Sequence, residues 1–230
     1  MNLGTLYIVA TPIGNLEDIT LRALRILKGA DLIFAEDTRI AKKLISHFEI
    51  KTPIARRHTR DEQKAAEEII VALDAGKNIA LISDAGTPAV SDPGSLIVSR
   101  IRNELPEVKI ISVPGASALI AALSIAGVPT QDFTFLGFLP HKKGRETLFK
   151  EITVSERTVV FYESPHRILK TLESLNVHLG AGLPSEKKIT ICRELTKIYE
   201  EVVTGSAVEL LLFFENNPEK VRGEFVVIVS

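Results

Sequence analysis

Between Thr5 and Ala126 the chain repeats one pattern: a short apolar run, a polar break, then a segment with apolar residues at helical spacing. The apolar runs are Thr5–Ala10, Leu32–Ala35, Ile79–Ile82 and Val108–Val113. The helical segments are Ile19–Lys28, Ile40–Phe48, one that runs to Gly76, one after Pro93, and a small-residue stretch over Ala116–Ala126. Strands alternating with helices build βαβ units, and these units build a largely parallel sheet. Helix signals support the pattern. Asp18 and Gly29 stand where a cap and a stop belong, Thr59 and Glu62 have capping-box spacing, and Asp92-Pro93 reads as a cap followed by proline.

The second half reads differently. Thr134–Phe138, Thr158–Tyr162, Ile189–Cys192, Tyr199–Thr204 and Glu224–Val229 look like strands. Helices fall near Gly144–Ile152, from Ser164-Pro165 as a cap plus proline, and from Ser206, where Glu209 completes a capping box. No helix separates Ile189–Cys192 from Tyr199–Thr204, so an antiparallel pair is expected there. The fold class is therefore α/β in two domains, 1–130 and 131–230, with a mostly parallel sheet in the first and a mixed sheet in the second.

Charge narrows the function. Lys plus Arg is 28 and Asp plus Glu is 29, a net of −1 over 230 residues. A general nucleic-acid coat protein binds by summed positive charge, which is absent here. A nucleic-acid enzyme with a local basic patch remains open. Cys192 is the only cysteine, so there is neither an internal disulfide nor a thiolate zinc cluster, which suits a reducing cytoplasm. The first residues lack the basic start and apolar run of a signal peptide. The uncharged stretch Ile110–Gln131 contains Pro114, Gly115, Ser117, Ser124, Gly127 and Pro129, and reads as strand, turn and core helix rather than a membrane span.

Open α/β sheets bind ligands at the carboxyl ends of their strands. Three loops stand at such ends. Thr11-Pro12-Ile13-Gly14-Asn15 is neither a dinucleotide fingerprint nor a P-loop. Asp84–Gly94 holds two Gly, two Pro and two Asp in eleven residues, which makes a stiff loop that brings backbone and carboxylates to a ligand. Its bland reading is a structural loop. Pro114–Ala118 opens a helix with small residues, which suits either a flat ligand or tight packing. Charged clusters stand at further strand ends: Glu36-Asp37-Thr38-Arg39, Glu163-Ser164-Pro165-His166-Arg167 and Arg193-Glu194. Each reads either as caps and salt bridges or as substrate contacts.

The histidines, at 47, 58, 141, 166 and 178, lack metal-binding spacing, and no G-x-S-x-G elbow is present. No metal is expected. The basic runs Arg56-Arg57-His58-Thr59-Arg60 and His141-Lys142-Lys143-Gly144-Arg145 are either solvated faces or phosphate-binding loops.

At these loops the sequence resembles the tetrapyrrole methylase family of S-adenosyl-L-methionine (SAM) enzymes. Within it, the chain is similar to the RsmI-type group that methylates the 2′-hydroxyl of a cytidine in the decoding region of 16S ribosomal RNA. The matching stretches are GTLYIVATPIGNLEDITLRAL, AEDTR, LISDAGTPAVSDPG, VPGASALIAAL, FLGFLP, YESPHR and CREL. This resemblance implies the class III SAM methyltransferase fold, SAM in a cleft between the domains, a homodimer, and the small ribosomal subunit as partner. It implies cofactor contacts at Pro12, Asp84, Gly86, Thr87, Val90, Ser91, Ser117, Ala118, Tyr162 and Leu195. The group usually continues past the GEFVVIV strand into a small helical segment, whereas this sequence stops at Ser230. If that segment helps hold the ribosomal subunit, a weaker hold on RNA is expected here, with the SAM site unaffected.

For the implied reaction a base would help, because an alcohol is a poor nucleophile. Asp37 and Glu163 are the candidate catalytic carboxylates, with Arg39 beside the first. Arg39, Arg167 and Arg193 are candidates for phosphate or for orienting those carboxylates. Arg56, Arg57, Lys142, Lys143 and Arg145 complete the candidate RNA contacts.

Overall fold

The structure is a computed structural model that describes residues 2–56, 62–92, 94–180 and 187–230. The chain forms two compact units, Met1–Ser117 and Ala118–Ser230.

The first unit holds β1 (Thr5–Val9), α1 (Leu21–Gly29), β2 (Leu32–Ala35), α2 (Thr38–His47), β3 (Ile54–Arg56), α3 (Glu62–Asp74), β4 (Ile79–Ile82), α4 (Ser95–Glu104) and β5 (Lys109–Val113). Its sheet runs β3-β2-β4-β1-β5, and every pair is parallel. The sequence explains why. Ile79-Ala80-Leu81-Ile82 has no polar position because both faces of β4 are covered. Ala80 and Ile82 pack with Ile33, Leu27 and Leu44 on one face. Ile79 and Leu81 pack with Phe34, Ile69, Leu73 and Ile97 on the other. Burying one such side chain stabilises by about 1.5–3 kcal/mol.

Several helix starts differ from the sequence reading. Leu16–Asp18 forms a 3-10 turn, and Thr20 caps α1 by accepting from the Ala23 N–H at 3.0 Å. Thr20 wins because its hydroxyl lies directly before the apolar face. The α4 helix begins at Ser95 with Gly94 at its cap position and no side-chain cap, so Asp92 is not the cap. Pro93 and Thr59 lie outside the described residues. Strand β3 gave no pattern to read, being three residues at a sheet edge.

The second unit holds α5 (Ala118–Ile125), β6 (Phe133–Phe138), α6 (Arg145–Val154), β7 (Thr158–Glu163), α7 (Ile168–Gly180), β8 (Ile189–Arg193), β9 (Glu201–Gly205), α8 (Ala207–Asn216) and β10 (Phe225–Val229). Its sheet runs β6-β7-β10-β8-β9. Only β6 and β7 are parallel, and the other pairs are antiparallel. The β8–β9 pair has the expected antiparallel sense. Every residue of β10 is buried, as its unbroken Phe-Val-Val-Ile-Val requires. The core joins Phe149, Phe161, Leu172, Ile191, Phe214 and Val227. Ser206 and Glu209 form the expected capping box on α8. Ser164 and Pro165 form a turn ahead of α7 rather than its first residues.

The units divide between Ser117 and Ala118, ahead of the boundary at 130 expected from the order of strands and helices. The reason is α5, which packs against β10 and so belongs to the second unit. Among the described residues no helix is long and apolar enough to cross a membrane.

Candidate active site

A parallel sheet puts all its strand carboxyl ends on one edge. In the first unit the loops after β1, β2, β4 and β5 are tied together at that edge. Thr11 and Gly86 exchange two backbone hydrogen bonds, the Thr11 N–H donating to Gly86 at 2.9 Å and the Gly86 N–H to Thr11 at 3.0 Å. The Thr11 hydroxyl donates to the Ser83 carbonyl at 3.3 Å. The Thr87 hydroxyl donates to the Ala116 carbonyl at 3.2 Å, joining the loops after β4 and β5. The Asp37 N–H donates to Asp84 Oδ1 at 2.9 Å, bringing in the loop after β2. Pro12 follows Thr11 and is half-buried.

The loop after β4 turns by left-handed residues. Gly86 has φ +74°, Ala89 +68° and Ser91 +55°. A positive φ is uncommon for Ala and Ser and costs of order 1–3 kcal/mol, so the surroundings must over-determine it. Val90 stands between them, 48% exposed. Gly115 is needed for closeness: a Cβ there would lie 2.9 Å from the Ala10 Cβ. Ser117 is the last residue of the unit.

Asp37 is the N-cap of α2 and accepts from the Arg39 N–H at 2.8 Å. It also accepts from the Arg39 guanidinium, Nε lying 3.0 and 3.1 Å from its two oxygens. These bonds lower its pKa from the ordinary 3.8 to about 2, and Arg56 adds to the effect. Arg39 itself is 87% exposed. Arg56 is exposed at the end of β3, and Arg57 lies outside the described residues.

In the second unit Glu163 ends β7 with no exposed side-chain surface. Its Oε1 accepts from the Ser164 N–H at 2.8 Å and pairs with Arg167 Nε at 2.7 Å. Its Oε2 accepts from the Thr171 hydroxyl at 2.7 Å and lies 3.5 Å from Arg145 Nη2. The two guanidiniums reach onward: Arg167 donates to the Leu139 carbonyl at 2.9 Å, and Arg145 to Pro140 at 3.2 Å. Arg145 and Arg167 are thus 12% and 15% exposed. The structure makes them braces of the loop after β6 and not open phosphate contacts. Lys142 and Lys143 are exposed on that loop. Thr171 escaped the sequence reading. Its only signal was a polar residue on the inward face of α7, between Ile168 and Leu172.

Tyr162, next to Glu163, accepts the Leu119 N–H at 3.2 Å, one residue after Ala118. Its hydroxyl is pushed up in pKa by burial. Phe135 and Phe138 pack edge-on against its ring at 5.0 and 5.4 Å. Arg193 pairs with Glu201 at 3.7 Å, and its Nε is buried without a hydrogen-bond partner among the described residues. Leu195 is buried in a loop where Glu194 and Thr196 have φ of +52° and +66°. Lys197 braces that loop, bridging Glu194 and Glu224 at 2.8 Å each.

The sequence profile described as tetrapyrrole (corrin/porphyrin) methylases matches residues 5–211. The chain belongs to that family. Among individual relatives, a protein of Halalkalibacterium halodurans named ribosomal RNA small subunit methyltransferase I is 46% identical over 99% of this chain and 76% of its own length. One of the same name from Escherichia coli O157:H7 is 44% identical over 99% of this chain and 78% of its own. The tetrapyrrole methylase fold is shown by solved structures too. A cobalt precorrin-4 methyltransferase has a TM-score of 0.70 at 18% identity, covering 98% of this chain and 94% of its own. A uroporphyrin-III C-methyltransferase from Thermus thermophilus, complexed with S-adenosylhomocysteine, has 0.65 at 17%, covering 99% and 97%.

Proposed function

We propose that this protein uses SAM to methylate small-subunit ribosomal RNA, the acceptor being the 2′-hydroxyl of a cytidine in the decoding region. The observation that carries the reading is kinship with small-subunit ribosomal RNA methyltransferases across nearly the whole chain. Action on the assembled subunit, a homodimer and a cytoplasmic site belong to the same proposal.

The residues present suit the cofactor. A nucleoside with a charged amino-acid tail needs close backbone and few bulky side chains. Gly86 supplies this in the first unit, where a Cβ would lie 3.4 Å from Ile13 Cγ2. There the proposed contacts are Pro12, Asp84, Gly86, Thr87, Val90, Ser91 and Ser117. In the second unit they are Ala118, Tyr162 and Leu195. The cofactor supplies an electrophilic methyl group on a sulfonium. The protein's part is to align the hydroxyl oxygen with that carbon and to let a proton depart, and alignment alone supplies much of such a rate.

Of the two candidate bases, Asp37 is the one with exposed surface, and Arg39 orients it. Glu163 has both oxygens occupied in the interior, which supports a positioning role. The bonds from Arg39 make Asp37 a weak base. The reading is therefore of a reaction driven chiefly by alignment, with Asp37 taking the proton late.

The test is methyl transfer from labelled SAM to small subunits lacking the modification, with naked 16S RNA and a tetrapyrrole precursor in parallel. Label at a single cytidine ribose is the expected result. Label in the tetrapyrrole and none in RNA would overturn the reading.

A further inference from the structure

Phe138 is the last residue of β6, in a register irregularity between Phe135 and Phe138, and it follows Gly137 at φ +62°. The residue is 57% exposed, with its ring edge-on to Tyr162 at 5.4 Å. That is unusual for a phenylalanine beside a buried strand, since a buried ring of this size would add to the core. The next two residues are gripped from below. Leu139 and Pro140 give their carbonyls to Arg167 and Arg145, and both arginines rest on buried Glu163. The chain then rises into His141, Lys142 and Lys143, all exposed. The two lysines make no ion pair among the described residues. Glu146, the nearest acid in sequence, pairs with His178 at 2.9 Å.

A buried carboxylate with two guanidiniums gives little net stability, because desolvation offsets the attraction. What it does give here is a fixed base for a loop of one exposed aromatic and two exposed lysines. Single-stranded RNA is held by that combination: a ring face for an unstacked base and cations for the adjoining phosphates.

We propose that Phe138 is a base-stacking residue for single-stranded RNA, that Lys142 and Lys143 take the flanking phosphates, and that Glu163 is the positioning residue that fixes the loop. This builds on the ribosomal RNA reading and names how that RNA is gripped.

The chain contains no tryptophan, so Phe138→Trp introduces a single reporter at the site. Titration with a single-stranded oligonucleotide from the decoding region, at low salt, should quench its emission saturably. Addition of Lys142→Ala and Lys143→Ala should weaken that titration and flatten its salt dependence. Absence of quenching would overturn the proposal. In methyl transfer to small subunits, Phe138→Ala should raise apparent KM about ten-fold or more. A loss of SAM affinity that matches the loss of activity in Phe138→Ala would also overturn it, making the ring a buttress of Tyr162. If quenching occurs while the native protein labels no RNA, stacking stands and the methylation reading falls.

Discussion

The phenol oxygen of Tyr162 accepts the backbone N–H of Leu119 at 3.2 Å, which ties the end of β7 to the first turn of α5. The first amides of a helix have no partner within it. Tyr162→Phe should therefore leave one such group unpaired in a partly buried place. A loss of about 1 kcal/mol in urea unfolding is expected, together with a several-fold loss of SAM affinity by calorimetry. Unchanged values in both would show that the bond contributes nothing.

Asp37 gives a pH signature. Its pKa is depressed from 3.8 to about 2, first by the Arg39 side-chain bond and then by the Arg39 backbone bond. A carboxylate depressed in the folded state stabilises above its unfolded pKa, and that contribution is lost as pH falls from about 4 toward 2. Carboxyl NMR should place its midpoint near 2 and, in Arg39→Ala, closer to 3.8. Turnover of the native protein should show no ionisation of Asp37 between pH 5 and 9. Asp37→Asn should lower turnover while SAM affinity holds, and full turnover in that variant would remove it as the proton acceptor.

Glu163→Gln keeps the shape of the side chain but leaves Arg145 and Arg167 buried without their counter-charge. A penalty of roughly 3–5 kcal/mol is expected, because a buried ion left alone costs more than the pair gained. Thermal unfolding should show it as a lowered transition. A transition unchanged from wild type would mean that both guanidiniums find water.

Cys192 lies in β8 with its thiol pushed up to about 11, by burial first and by Glu200 second. Thiolate is the reactive form, so the native protein should resist alkylation at pH 8. Modification by iodoacetamide should appear only with unfolding, followed by mass. Rapid labelling of the native protein would show that β8 opens locally.

Much of this was legible in the residues. Apolar runs such as Ile79–Ile82 named the central strands, because a strand covered on both faces has no polar position to spare. The Ser206–Glu209 box named a helix start, since both partners are adjacent in sequence. Reading failed where the partner is distant. Nothing near Glu163 announces that Thr171 and Arg145 will meet it, and nothing at Thr87 announces Ala116. It failed also where two caps competed, as at Asp18 and Thr20. The basic run at 141–145 was visible, but its division into buried Arg145 and exposed Lys142 and Lys143 follows from tertiary contacts alone.

The order of strands has a consequence during synthesis. The middle of the second sheet is β10, residues 225–229, and both of its neighbours precede it in the chain. On the translating ribosome, β7 and β8 emerge with facing edges that nothing yet joins. The first unit has all its strands by residue 117 and is free to fold while the rest is still being made. The second must wait for its last apolar pentapeptide to slide between strands already present. Until then its open edges are the part of the nascent protein most exposed to pairing with a wrong strand.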